Sequence, residues 1–135
     1  MKTHRATGSV FISHSHKDKD LVRDIARRLR TVGLEPFIDI DDLPTGAHWK
    51  KILLERLRDA DAVLVLLTPA ALESPWSVTE VGMAEGFDKV ILPVTAGLEP
   101  QRLPAPLQSY QVVPFDELDG AISKLAQKLA ETSDD

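Results

Sequence analysis

Apolar and polar positions along this chain shift repeatedly between a two-residue or unbroken rhythm and a helical one. Val10-Phe11-Ile12 is a short apolar run that enters the polar stretch Ser13-His14-Ser15-His16, the pattern of a strand leading into a loop. From Lys17 to Val32 apolar residues fall at 21, 22, 25, 26 and 29, a single helical stripe, and Gly33 is placed to end it as a C-cap. Pro36 to Ile40 predicts a second strand. In the following Asp41-Asp42-Leu43-Pro44-Thr45-Gly46, Pro and Gly interrupt regular structure and predict a loop. Trp49 to Arg58 predicts a helix with Ile52, Leu53 and Leu57 inward. Ala62 to Leu67 is continuously apolar and stops at Thr68-Pro69, which predicts a strand covered on both faces. A further helix opens at Ser74-Pro75: Ser74 can cap the first turn, and Pro75 fits the first helical position, where its missing N–H costs nothing. Val90 to Val94 predicts a fourth strand. A loop carrying Pro100, Pro104 and Pro106 leads to a fifth, Gln111 to Phe115, and Leu118 to Leu129 predicts a closing helix before a flexible tail at 131–135.

Strands alternating with helices, one strand buried on both faces, imply an α/β protein with a parallel sheet between two helical layers. Five strands favour the flavodoxin-like, three-layer order 2-1-3-4-5. The expected organisation is one domain over 1–135 with a core at about 8–130. In that order the chain reverses direction between strands 1 and 3, and ligands bind beyond the carboxyl ends of the strands there. Ser13 to His16 follow strand 1 and the segment with Trp76 and Glu80 follows strand 3, so both polar constellations converge on that crevice.

Composition narrows the function classes. A net charge of −5 argues against a partner held through nucleic-acid phosphates and against an anionic membrane surface. Arg27, Arg28 and Arg30 read as a solvated helix face. The absence of cysteine excludes disulfides, thiol catalysis and thiolate metal sites, and fits a reduced, cytoplasmic setting. No apolar run approaches the length of a membrane span, and MKTHRATG lacks the apolar core of a secretory signal.

Several chemistries fail on residue type. A phospho-receiver of this architecture needs acidic residues after strand 1 and an Asp ending strand 3, where this chain has Ser13-His14 and Thr68-Pro69. No glycine-rich turn follows strand 1, so a dinucleotide would not be held in the usual way. His14 and His16 have no third histidine nearby and read as polar loop residues, with no metal site expected. Asp39, Asp41 and Asp42 lack the later ligands and the central Gly of a calcium loop. A hydrolase built from Ser13, His14 and Asp39 lacks a nucleophile elbow, and adjacent strand residues point to opposite faces. Trp76 and Glu80 are four apart and share one helix face. They read either as a core residue beside a solvated acid, or as an aromatic plate and a carboxylate for a flat cationic ring joined to a sugar.

Read in order, VFISHSHKDKDLVRDIARRL, GLEPFIDIDDLPTGAHWKKIL, ADAVLVLLTPAALESPWSVTEVGMA and VILPV resemble the TIR domain family: first strand and polar loop, second strand and BB loop, third strand with the W-x-x-x-E segment, and fourth strand. The resemblance runs over about residues 8 to 130. It implies an enzyme that cleaves NAD+ into nicotinamide and ADP-ribose or a cyclic ADP-ribose isomer, in bacterial immune signalling. NAD+ is then a substrate and no cofactor is required. By resemblance Glu80 is the catalytic carboxylate and Trp76 its aromatic neighbour. Phe37 lies near the nicotinamide, and Ser13, His14 and Asp39 line the pocket. Asp42, Leu43, Pro44 and Gly46 of the BB loop serve assembly.

The family implies homotypic self-association, filaments included, and sites completed across protomers. No sensor domain is read within these 135 residues, so the expectation is either a separate sensor or effector protein as partner or a domain excised from a larger protein. The BB loop is acidic here and lacks a basic residue, which points to a partner surface of its own. The alternative is a non-enzymatic TIR interaction domain, acting as an adaptor or interfering with a host. Trp49 reads as packing or interface, and Glu85 stands as the substitute carboxylate.

Overall fold

The computed structural model describes residues 8–37, 55, 58–73, 89–99, 102 and 112–133. The first strand, β1, is Gly8–Ser13, followed by a 3-10 turn at His16–Asp18 and by helix α1, Lys19–Thr31. Strand β2 is Leu34–Phe37, β3 is Ala62–Leu67, and the single helical turn α2 is Pro69–Leu72. Strand β4 is Val90–Thr95, β5 is Val113–Pro114, and α3 is Leu118–Ser133. The sheet is parallel throughout, in the order β2-β1-β3-β4-β5. Glu55, Arg58 and Asp59 are helical, and the remainder of the helix predicted over 49–58 lies outside the described residues, as do the one opened by Ser74-Pro75 and Ile38 to Ile40 of the predicted second strand.

Local chemistry explains the element ends. Gly33 has φ 86°, a left-handed conformation that favours glycine, and its N–H donates to the Arg30 carbonyl to close α1. Pro36 lies opposite Val10, and the missing donor is tolerated because β2 is an edge strand. The closing helix extends beyond Leu129 to Ser133, since Ala130 and Glu131 are good helix formers with no Gly or Pro among them.

One face of the sheet presents Val10, Ile12, Ala62, Leu64, Leu66 and Val94 to Val22, Ile25 and Leu29 of α1 and to Leu118, Ile122 and Leu125 of α3. The other face is just as dry: Phe11, Val63, Val65 and Leu67 are at most 1% exposed. That double cover accounts for the unbroken apolar run in β3, because each fully buried Val or Leu contributes about 1.5–3 kcal/mol.

Candidate functional site at the switch point

The switch point lies between β1 and β3, whose neighbours run outward in opposite directions. Ser13 ends β1 in register with Val65 of β3 and is 1% exposed. His14 follows, half-buried, with Nδ1 3.1 Å from the carbonyl oxygen of Ile12. A carbonyl only accepts, so Nδ1 carries the proton, and in the neutral ring Nε2 is left as an acceptor. Phe37 ends β2 beside Phe11, half-buried, at the same end of the sheet. The structure thus brings Ser13, His14 and Phe37 to one rim. Trp76, Glu80, Asp39 and the BB-loop residues Asp42, Leu43, Pro44 and Gly46 lie outside the described residues, together with Trp49 and Glu85.

Thr68, which the sequence marks as the end of a strand and as a poor match to a phospho-receiver, proves central to this rim. Among the described residues, Thr68 and Ser13 are the polar side chains that are buried. Thr68 caps α2: its Oγ1 accepts from the N–H of Ala71 at 3.0 Å, and Pro69 occupies the first helical position. The same hydroxyl donates to Asp18 Oδ2 at 2.5 Å, the short range of a charge-assisted bond. The Thr-Pro pair after an apolar strand is a legible cap signal. Its partner, fifty residues earlier in the chain, is not.

Asp18 stands at the N-cap position of α1 yet makes no side-chain capping bond there. A local cap typically contributes about 1 kcal/mol, so the carboxylate forgoes a ready stabilisation in favour of Thr68. The preceding turn has its own support: the N–H of Lys17 donates to Ser15 Oγ at 3.2 Å. Lys17 also approaches Glu73, the C-cap of α2, at 3.8 Å; both side chains are about three-quarters exposed and the pair contributes about 1 kcal/mol at most.

The basic cluster on α1 is not a uniform solvated face. Arg27 and Arg30 are exposed, but Arg28 is half-buried and joins α1 to the closing helix. It holds Asp24 through Nε at 3.3 Å and a terminal nitrogen at 3.1 Å, reaches Asp119 at 3.2 Å, and lies 4.9 Å from the Phe115 ring centroid. Hydrogen bonds from Arg28 hold the Asp24 carboxyl below its ordinary range, and desolvation only partly opposes them. Arg28 turned inward because Asp24, one turn earlier, and Asp119 on α3 offered it carboxylates.

Among the described residues no group of three His, Asp or Glu side chains is arranged to hold a metal ion, and no helix is long and apolar enough to cross a membrane. A groove of about 720 Å³ opens between β4, β5 and α3, floored by Val90, Leu92, Val113 and Leu125. It lies against the amino-terminal half of β4, away from the rim that carries Ser13 and Thr68.

A family model described as TIR domain matches residues 10–129. The 2' cyclic ADP-D-ribose synthase BtTIR of Bacteroides thetaiotaomicron is 36% identical over 89 residues, 62% of this chain, and the match spans 31% of that protein's length. Among solved structures, the TIR domain of the Toll-related receptor TRR-2 from Hydra magnipapillata has a TM-score of 0.72 at 14% identity, covering 89% of this chain and 96% of that one. A metazoan TIR-STING receptor from C. gigas has a TM-score of 0.69 at 22% identity, covering 91% and 41%. At these identities the two structures speak to the fold.

Proposed function

This chain belongs to the TIR domain family, and on that premise we propose that it is an NAD+ glycohydrolase or cyclase, releasing nicotinamide and either ADP-ribose or a cyclic isomer. The observation that carries the reading is the 36% identity to a 2' cyclic ADP-D-ribose synthase. Making a cyclic ADP-ribose requires an ADP-ribose donor with a leaving group on the anomeric carbon, and NAD+ is such a donor. The described rim supports it with a buried hydroxyl at Ser13, an imidazole at His14 and an aromatic ring at Phe37.

In the proposed reaction the bond between the anomeric carbon and the nicotinamide nitrogen breaks, and its electron pair neutralises the cationic ring. No general acid is needed, unlike an ordinary glycosidase that must protonate a leaving oxygen. Glu80 stabilises the oxocarbenium charge that develops on the ribose, Trp76 and Phe37 flank the rings, and Asp39 joins Ser13 and His14 in lining the pocket. Water then captures the carbon to give ADP-ribose, or a hydroxyl of the same nucleotide closes a ring; either releases one proton.

The proposed setting is bacterial immune signalling in the cytoplasm. There the domain self-associates through the loop bearing Asp42, Leu43, Pro44 and Gly46, under a separate sensor or effector protein. The deciding experiment incubates wild type and Glu80→Ala with NAD+ at high protein concentration or on a crowding surface and separates products by chromatography. Wild type is expected to release nicotinamide, and a folded Glu80→Ala about 10²–10³-fold more slowly. Intact turnover in Glu80→Ala would remove Glu80 from the site and bring Glu85 forward. No turnover in wild type would leave the interaction-domain reading.

A further inference from the structure

We propose that Asp18 and Thr68 are a positioning pair: their hydrogen bond sets where the segment leaving β3 stands relative to the loop leaving β1. The proposal rests on the reading of this switch point as the site of NAD+ cleavage. Neither residue is assigned contact with a reacting atom. Both act through α2, which leads directly into the stretch carrying Trp76 and Glu80.

The geometry restricts what the pair can do. A threonine hydroxyl has one proton, and here it is committed to Asp18 at 2.5 Å. Its acceptor side is committed to the N–H of Ala71 at 3.0 Å. With Thr68 3% exposed, its hydroxyl is held by these two partners, so the single turn α2 is oriented by a carboxylate that belongs to the β1–α1 connection. That carboxylate leaves its own helix uncapped, which separates this arrangement from an ordinary N-cap. Lys17, beside Asp18, reaches Glu73 at the far end of α2, so one short turn contacts both ends of the other. A site assembled from the ends of two strands depends on such registration, since a misplacement of about 1 Å can slow a reaction on the order of 10²-fold.

The test measures kcat and KM for nicotinamide release in wild type, Thr68→Val, Asp18→Ala, Thr68→Ser and the Thr68→Val/Asp18→Ala double variant, with an unfolding midpoint for each. Thr68→Val and Asp18→Ala are expected to lose on the order of tenfold or more in kcat with little change in KM. Thr68→Ser, which keeps the hydroxyl, is expected to stay near wild type. The double variant is expected to be no slower than Thr68→Val, because the two side chains act as one unit. Wild-type kcat in Thr68→Val, no recovery in Thr68→Ser, or losses that multiply in the double variant would each overturn the proposal. A second arm follows amide hydrogen exchange. Asp18→Ala should accelerate exchange over residues 71–80 and leave 22–30 of α1 unchanged. If wild type fails to cleave NAD+, the site reading falls, and the exchange arm still decides the positioning pair: unchanged exchange over 71–80 would sink it.

Discussion

Strands β1 and β3 are tied together at both ends by a carboxylate and a hydroxyl, with the partners exchanged. At the amino-terminal rim, Asp61 precedes β3 and its Oδ2 accepts from Ser9 of β1, 2.8 Å from the backbone N–H and 3.2 Å from Oγ. At the carboxyl rim the carboxylate, Asp18, follows β1 and the hydroxyl, Thr68, follows β3. Solvent separates the two ties. Asp61 is exposed, so its bonds compete with water and their net contribution is small. Thr68 is buried, where an unmet hydroxyl would carry its full desolvation penalty, so its bond dictates geometry. The amino-terminal rim is also closed by packing: a Cβ on Gly8 would stand 2.9 Å from Leu129 Cδ1 and 3.2 Å from Asp61 Oδ2. One end of the sheet is packed by α3, and at the other the buried hydroxyl of Thr68 is held in place by its hydrogen bonds.

The sharpest way to widen this contrast is Glu80→Gln, which keeps the side chain's shape and removes its charge. Turnover of NAD+ should fall about 10²–10³-fold at an unchanged unfolding midpoint, as read by product chromatography beside a thermal melt. Asp61→Ala should act in the opposite sense, lowering stability by about 1 kcal/mol in denaturant titration while turnover per folded molecule holds. A large drop in kcat there would erase the distinction between the rims. Gly8→Ala asks less of the fold, because the far end of the Leu129 side chain can yield; about 1 kcal/mol should be lost, again without a change in kcat.

The smallest effect belongs to neither rim. The folded Asp24 carboxyl lies below its unfolded value of about 3.9, so the unfolded chain binds more protons in acid. Its contribution is therefore complete above that value and is lost as pH falls through the lower folded one. Both partners remain partly exposed, so Arg28→Ala should cost about 1 kcal/mol near neutrality and show a shallower acid decline in midpoint below about pH 4. Equal acid slopes in wild type and variant would contradict it.

Most of the fold was legible because the signals are local. Six consecutive apolar residues marked β3 and Gly33 marked the end of α1; each rests on residues within a few positions of one another. The strand order followed from the alternation of elements. Of the candidate site, Ser13, His14 and Phe37 were legible as residues placed just at the ends of strands. Local pattern misread Arg28, whose spacing on α1 resembles that of a solvated cation, because Asp119 and Phe115 reach it from α3.

By itself the sequence determined most of the described strands and helices, the sheet order and the family, since periodicity, capping and turn chemistry act over a few residues. Tertiary structure alone decided which carboxylates serve which hydroxyls. Asp18 could have capped α1 and Asp61 could have remained in water, and nothing within a helical turn of either residue says otherwise. Each found a partner about fifty residues away because β1 and β3 lie side by side, bringing the ends of two distant segments within hydrogen-bonding distance.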